Sequence, residues 1–410
     1  MTYDIVIIGG GAAGIATAAS ILKRNAQVSI AVVDPAQDHY YQPGWTLVGA
    51  GVFTPEQTRK AEADVMPKGV EWIRLPAITI DPERQAITLG DGDTIAYRVL
   101  IVAPGLRLAW EKIAGLTEAL GRNGVTSNYR YDLAPYTYQL VQELQRGRAL
   151  FSQPPMPIKC AGAPQKAMYL SCDIWRERGV LPAIDVEFHN AGAALFGVAT
   201  YVPALMEYVE KYRINLKLES NLVAVDADRR IATFERKQNG VSERIERGFD
   251  MLHVVPPQVS HDVVAKSSLA AANGFVEVDE ATLRHKRYDN VFALGDAAGT
   301  SNAKTAAAAR KQAPVVAVNA LAALDGKAPV ADYDGYGSCP LTVERGKIVL
   351  AEFGYGGKLL PSFPSWLLNG TRPTRAAWFL KERMLPPIYW QGMLKGHEWM
   401  AAPHEIGKAA

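Results

Sequence analysis

The chain opens on an unbroken apolar run, Asp4-Ile5-Val6-Ile7-Ile8. Such a run lacks the alternation of a half-exposed strand and predicts a short strand buried on both faces. It breaks at Gly9-Gly10-Gly11-Ala12-Ala13-Gly14 and resumes as an Ala/Ile-rich stretch toward Arg24, which predicts a helix. A second strand is expected over Gln27–Val33, ending at Asp34. Tyr97–Gly105 reads as another buried strand that ends in a turn, and Asn290–Asp296 as one that ends in an acid. A long Ala-rich helix is expected from about Ala303. In the middle of the chain, Pro157–Gln165 lead into a helix through Trp175 toward Gly179, followed by a strand Ile184–Phe188 that runs into His189-Asn190.

The glycine spacing after the first strand carries chemistry. Gly9 permits a tight turn, Gly11 lets a pyrophosphate approach the backbone, and Gly14 lets helix pack on strand. Ala12 and Ala13 open the helix whose N-terminus attracts phosphate, and Asp34 can accept hydrogen bonds from ribose hydroxyls. With Ala103-Pro104-Gly105 at the end of one later strand and Gly295-Asp296 at the end of another, the ordered trio resembles the flavoprotein disulfide reductase superfamily. That resemblance implies bound FAD, with Asp296 on the ribityl chain and the following helix N-terminus facing the flavin. It also implies an α/β fold of two Rossmann-like dinucleotide-binding domains, glutathione-reductase-like. The expected organisation is a discontinuous FAD-binding domain over 1–145 and 281–330, a degenerate NAD-binding-like domain over 146–280, and a C-terminal segment over 331–410.

The second domain is where a nicotinamide dinucleotide would bind, yet of a possible glycine triple only Gly162 remains. The next strand ends without an acid suited to a ribose. In place of the phosphate loop stands Cys160, just ahead of a helix, with Pro164 suited to the first turn and Lys159 and Lys166 beside it. A helix N-terminus and neighbouring cations lower a thiol pKa and enrich the nucleophilic thiolate. A buried apolar role is the ordinary reading of a lone cysteine; the lost glycines and the flavin fingerprint turn Cys160 toward chemistry. Cys172, in mid-helix, keeps the inert reading. Cys339 lies in Tyr333-Asp334-Gly335-Tyr336-Gly337-Ser338-Cys339-Pro340, past the flavin-binding half.

Half of the eight tryptophans fall after Pro364. Tyr389–Met393 and Trp390–Leu394 have the spacing of one helix face, Pro386-Pro387 are expected to split the region into two short helices, and Arg372, Arg375, Lys381, Arg383 and Lys395 flank it. Short aromatic helices with cationic flanks suit a membrane interface or an apolar slot for a lipid-borne quinone. The alternative is a pair of helices packed on the protein's own core or on a partner subunit. Gly354–Pro364 read as a hinge.

At 410 residues the chain has room for two cores and an appendage. A 48% hydrophobic and 21% charged composition is that of an ordinary globular protein. A formal net charge of +2, without finger-spaced Cys/His clusters or a basic run interleaved with aromatics, argues against nucleic acid as a partner. Three cysteines argue against a stapled secreted scaffold. No signal-peptide pattern precedes the first strand, and no apolar run approaches the ~20 residues that span a bilayer.

Several segments together are similar to the sulfide:quinone oxidoreductase family, in particular its mitochondrial-type branch. They are Tyr40-Tyr41-Gln42-Pro43 with Trp45–Gly51, Ser127-Asn128-Tyr129, Ile158–Lys166, Met251–Pro257, Ser301–Ala308 with Lys304, and Tyr333–Pro340. The resemblance implies that Cys160 and Cys339 are the redox pair, joined directly or through an inserted sulfur. It also implies that Lys304 reaches a flavin carbonyl or a quinone oxygen, and that Gln42 lies in the cofactor site. Hydrosulfide would attack one sulfur, Cys339 on the family's pattern. One cysteine would then carry a persulfide, and the released thiolate would pass its electron pair to the flavin.

A small acceptor (sulfite, glutathione, cyanide or more sulfide) would remove the sulfane sulfur, and a quinone would take the electrons. No cysteine lies between Ala119 and Gln142, where the bacterial branch often has a third, so FAD is expected to be non-covalent. The implied location is peripheral, on a bacterial-type inner membrane, with homo-oligomerisation left open. The competing readings are a type II NADH:quinone dehydrogenase, the flavin subunit of a flavocytochrome sulfide dehydrogenase, and a flavin-dependent redox sensor or partner-binding scaffold.

Overall fold

The computed structural model describes residues 1–238 and 241–407. Strand β1 (Thr2–Ile8) sits inside a seven-stranded sheet, parallel to β2 (Ile30–Val33) on one side and β6 (Thr94–Val102) on the other. Ile5 and Ile7 enter a core beneath α1 (Ala12–Arg24), while Val6 and Ile8 enter a second core on the opposite face. This two-sided burial is why the opening run lacks polar alternation. The sheet is completed by β3 (Val70–Ile73) beside β2 and by the antiparallel pair β4 (Ala77–Asp81) and β5 (Ala86–Leu89). The expected strand Gln27–Val33 begins only at Ile30, because the residues before it form the turn out of α1.

The middle of the chain builds a second, five-stranded parallel sheet in the order β7-β11-β8-β9-β10. Its strands are β7 (Val125–Thr126), β8 (Gly147–Gln153), β9 (Ile184–Asn190), β10 (Asn215–Lys217) and β11 (Met251–His253). Helix α2 (Ala163–Glu177) crosses from β8 to β9. The chain then returns to the first sheet through β12 (Val291–Ala293), parallel to β6, and the long α3 (Ala306–Leu324). Thr305 caps α3 by accepting from Ala308 N, so the helix starts three residues later than the alanine run suggests. An antiparallel hairpin, β13 (Gly337–Glu344) and β14 (Lys347–Phe353), packs on α2 and carries Cys339 opposite Ala351.

The C-terminal region corrects two expectations and decides a third between its alternatives. Pro386-Pro387 do not split it: α4 (Arg375–Phe379) continues through a π-turn at Leu380–Met384, a helical turn at Leu385–Pro387 and a second π-turn at Ile388–Gly392. The wider turns on either side accommodate prolines that lack an N–H, so the chain keeps winding. Tyr389, Trp390, Met393 and Leu394 turn inward onto the core that holds α1 and α3, and Lys381 is buried, so these residues are not part of an outward face. Gly354–Pro364 is not a free hinge either. Leu360 N donates to Glu352 O at 3.1 Å, Ser362 Oγ donates to Glu352 Oε1 at 2.5 Å, and Tyr355 Oη reaches Glu280 O at 2.6 Å. Glu352 on the hairpin and Glu280 outside it hold the segment down. Among the described residues no helix is long and apolar enough to cross a membrane.

Candidate active site

The end of β1 forms a cradle of backbone. Gly9 has φ +103°, and a Cβ there would stand 2.4 Å from Ala103 O, so the ends of β1 and β6 touch in a way only glycine allows. A Cβ on Gly14 would meet Gly9 O at 1.9 Å, which closes α1 against the strand. A Cβ on Gly11 meets nothing within 4 Å, leaving open space in front of the uncapped N-terminus of α1 at Ala12 and Ala13. Asp34, just past β2, accepts from Gly10 N through Oδ2 at 2.5 Å. Pro104 and Gly105 follow β6, and Gly105 (φ +76°) also borders open space.

Asp296 lies in the turn Gly295–Ala297 after β12. Gly295 N donates to Gln312 Oε1 at 2.8 Å, which leaves Gln312 Nε2 buried without a partner. Trp45 Nε1, Thr46 Oγ1, Glu62 Oε1, Thr300 Oγ1 and Asn302 Oδ1 are likewise buried and unpaired within the chain. Each such atom costs about 1–3 kcal/mol unless something satisfies it. An open phosphate cradle together with unpaired polar atoms fits a large polar dinucleotide.

The sulfur centre forms where the second domain meets the hairpin. Cys160 sits in the loop ahead of α2 with φ +50°, a left-handed conformation that costs a non-glycine residue roughly 1–2 kcal/mol. Its backbone is pinned: its N–H donates to Lys304 O at 2.8 Å, and its carbonyl accepts from Ala163 N at 2.7 Å and Tyr129 Oη at 3.3 Å. Cys160 Sγ and Cys339 Sγ, 179 residues apart in sequence, stand 3.5 Å from each other. Lys166, one turn into α2 and buried, donates to Cys160 Sγ at 3.1 Å.

A hydrogen bond from Cys339, then the Lys166 charge, hold the Cys160 thiol well below the usual thiol range against the opposing effect of burial. The same hydrogen bond and burial push Cys339 well above it, so Cys160, which also accepts from Lys166, is the sulfur poised to carry the negative charge. Cys172 is fully buried in α2, and burial pushes its thiol up, which leaves it inert at neutral pH.

Cations ring this centre. Lys304 Nζ donates to Asp296 O at 3.0 Å and to Ala298 O at 2.7 Å, so the side chain braces the Asp296 turn while its own carbonyl holds Cys160. Gln42 Oε1 accepts from Lys159 Nζ at 2.6 Å, which brings Gln42 beside the cysteine loop. Lys381, read from sequence as a cationic flank, is 3% exposed and donates to Pro43 O at 3.2 Å. Burial and then repulsion from Lys166 lower its ammonium to about 7, against the attraction of the two thiols. Its inward position was not legible, because the group it meets, Pro43 O, lies 338 residues away in the sequence. Gly162 also gains a second role: a Cβ on it would lie 2.6 Å from Cys339 Sγ.

Residues 3–153 match the family model described as pyridine nucleotide-disulphide oxidoreductase. The chain is 40% identical to a mitochondrial sulfide:quinone oxidoreductase of Dictyostelium discoideum over 96% of this chain and 86% of that protein. It is 37% identical to the mouse mitochondrial sulfide:quinone oxidoreductase over 96% and 87%. Its fold superposes on the X-ray structure of the sulfide:quinone oxidoreductase from Aquifex aeolicus with a TM-score of 0.79, at 19% identity and 99% coverage of both chains.

Proposed function

Because this chain belongs to the sulfide:quinone oxidoreductase family, we propose that it oxidises hydrosulfide at Cys160 and Cys339 and passes the electrons through FAD to a quinone. The observation that carries the reading is the pair of sulfurs 3.5 Å apart with the Lys166 ammonium on one of them. Starting from the oxidised pair, hydrosulfide attacks Cys339 Sγ. The new S–S bond makes a persulfide on Cys339, the old bond breaks, and the electron pair leaves on Cys160 Sγ. A stabilised thiolate is the better leaving group, and Lys166 stabilises Cys160. A nucleophilic acceptor then takes the sulfane sulfur and leaves a second thiolate on Cys339. Re-forming the disulfide from two thiolates releases two electrons.

FAD, when bound, supplies the two-electron acceptor for that step. Gly9, Gly11, Gly14, Ala12 and Ala13 would hold its pyrophosphate, Asp34 its adenosine ribose, and Asp296, braced by Lys304, its ribityl side. Binding is non-covalent in this reading, since the chain's three cysteines are the mutual pair and the buried Cys172. Lys304 acts by positioning: its side chain holds the Asp296 turn and its carbonyl holds Cys160.

The electrons leave at a membrane surface. Trp366, Leu367, Phe379 and Met384 are exposed, and Trp366 keeps 83% of its surface. The loop that carries Trp366 is packed against α4 through Phe363, Leu368, Ala377 and Trp378, so Trp366 and Leu367 flank the helix that carries Phe379. Arg372, Arg375 and Arg383 lie among them in sequence, the composition of an interfacial patch. The protein in this reading is peripheral, on a bacterial-type inner membrane.

Anaerobic titration of the holoenzyme with sulfide tests the core of the proposal. The wild type is expected to lose flavin absorbance, and Cys160→Ser and Cys339→Ser to retain it. Normal bleaching in either serine variant removes that cysteine from the relay.

A further inference from the structure

A buried polar chain runs from the dinucleotide cradle to the C-terminal helix and has no part in the sulfur chemistry. Its first member is Glu62, which follows the short strand Arg59–Ala61 paired with Asp38–Tyr40. Glu62 is 1% exposed; its Oε2 meets His39 Nδ1 at 3.1 Å, and His39 Nε2 meets Tyr389 Oη at 2.7 Å. His39 and Tyr389 are 3% and 5% exposed. Tyr389 lies on the C-terminal helix, its ring 4.9 Å from that of Tyr41. The far end of the chain is open: Glu62 Oε1 is buried with no partner.

That unpaired oxygen has a direction. A Cβ built on Gly10 would lie 2.7 Å from Glu62 Oε1 and 3.2 Å from Asp34 Oδ2, so two carboxyls converge on one point of the glycine loop. In a Rossmann-like unit the acid at the end of the second strand takes the ribose hydroxyls, and Asp34 is that acid. A vicinal diol suits such a pair, because one carboxyl can donate while the other accepts. Burial lifts the Glu62 carboxyl above its ordinary range, His39 pulls it back and the Asp34 charge adds to the lift.

We propose that Glu62, His39 and Tyr389 form a latch that ties the adenosine end of bound FAD to the C-terminal helix. The latch rests on the FAD reading above and adds to it a coupling between two distant regions. Glu62 Oε1 hydrogen-bonds the ribose beside Asp34, His39 relays that placement, and Tyr389 seats the helix that carries Lys381 to the sulfur centre. By thermodynamic reciprocity, FAD then holds the helix down as firmly as the helix helps to hold FAD.

The test uses the purified holoenzyme and two variants, Tyr389→Phe, which keeps the ring packing, and Glu62→Ala. FAD release after dilution is followed by the rise of free-flavin fluorescence. Amide hydrogen exchange of residues 388–394 is read with FAD bound and after its removal. Release about fivefold or more faster in both variants is expected, the low end of ordinary coupling between sites. In the wild type, removing FAD speeds exchange in 388–394; in Tyr389→Phe it does not. Unchanged release in both variants overturns the latch. So does faster release in Glu62→Ala alone, which makes Glu62 a ribose contact without coupling. A wild type that purifies without flavin absorbance and takes up no added FAD overturns the FAD reading itself, a result separable from the other two.

Discussion

Replacing Gly162 by alanine isolates the packing that brings the two sulfurs together. The backbone at Gly162 has φ −88° and ψ −6°, which alanine adopts freely, so the substitution adds no strain of its own. By restricting the unfolded chain it would on its own favour the fold by about 0.4–1 kcal/mol. The new methyl, however, would lie 2.6 Å from Cys339 Sγ and 2.2 Å from Leu341 Cδ2. Leu341 has a flexible end that can turn aside. Cys339 sits on β13, paired across the hairpin with Ala351, and its sulfur must retreat by roughly 0.8 Å to reach ordinary contact.

The reduced thiol can retreat by changing rotamer. A disulfide fixes the Cβ–Cβ separation within about 1 Å and cannot, so the cost of overpacking, about 1–3 kcal/mol, falls mainly on the oxidised pair. At 30 mV for each 1.4 kcal/mol, the pair becomes easier to reduce by about 20–65 mV. The measurement is a titration of the holoenzyme in thiol–disulfide buffers, with the Cys160/Cys339 redox state read by alkylation and mass spectrometry. Thermal unfolding runs alongside to show that the fold is intact. A Gly162→Ala protein whose potential and melting temperature both match the wild type would refute the claim that this glycine makes room for Cys339.

Lys166→Met removes the cation on Cys160 Sγ, so the Cys160 thiol pKa must rise. The pH profile of iodoacetamide alkylation of the reduced enzyme should move upward, and an unmoved profile would contradict the assignment. Lys381 is lowered to about 7 in the fold, whereas an unfolded lysine titrates near 10.4. Between those values the unfolded chain binds the extra proton, so this group makes stability rise with pH by about 1 kcal/mol per unit, and below about pH 7 its penalty is constant. Urea unfolding at pH 6.5, 7.5 and 8.5 should show a wild-type slope that Lys381→Met flattens; equal slopes would place the lysine outside the buried site. Trp366→Ala with Phe379→Ala should weaken co-sedimentation with anionic vesicles by about tenfold or more, since each ring is worth about 1.5–3 kcal/mol when buried. Sulfide-driven flavin bleaching in solution should stay intact. Undiminished vesicle binding would move the membrane contact elsewhere.

Much of the site was legible wherever the chemistry lies in neighbouring residues. The turn at Gly9, the space at Gly11, the packing at Gly14 and the acid at Asp34 all follow from the stereochemistry of one strand, one turn and one helix start. Cys160 ahead of α2, with Pro164 in the first turn and Lys166 one turn in, belongs to the same class: α-helical spacing alone aims the lysine back at the loop. What was not legible lies in the C-terminal helix. Counting i,i+4 from Tyr389 to Met393 found a real apolar face and left open whether it met a membrane or the protein's own core, and the structure turns it onto α1 and α3. The hinge expected at Gly354–Pro364 failed for a related reason, since the partners that strap it, Glu280 and Glu352, lie on other elements.

Sequence alone therefore determined the glycine turn after β1 and the places of Cys160 ahead of α2 and Cys172 within it, because those features depend on bonds and turns a few residues long. Tertiary structure decided that Cys339 meets Cys160 across 179 residues, that Lys381 joins them, and that Tyr389 reaches His39 across 350. The physical reason is that these partners lie far apart in the chain, and for Tyr389 it is also phase. Two π-turns each widen the helix, so residues beyond them rotate away from the face that regular spacing assigns. Which face is buried is then settled by what the rest of the chain packs against it.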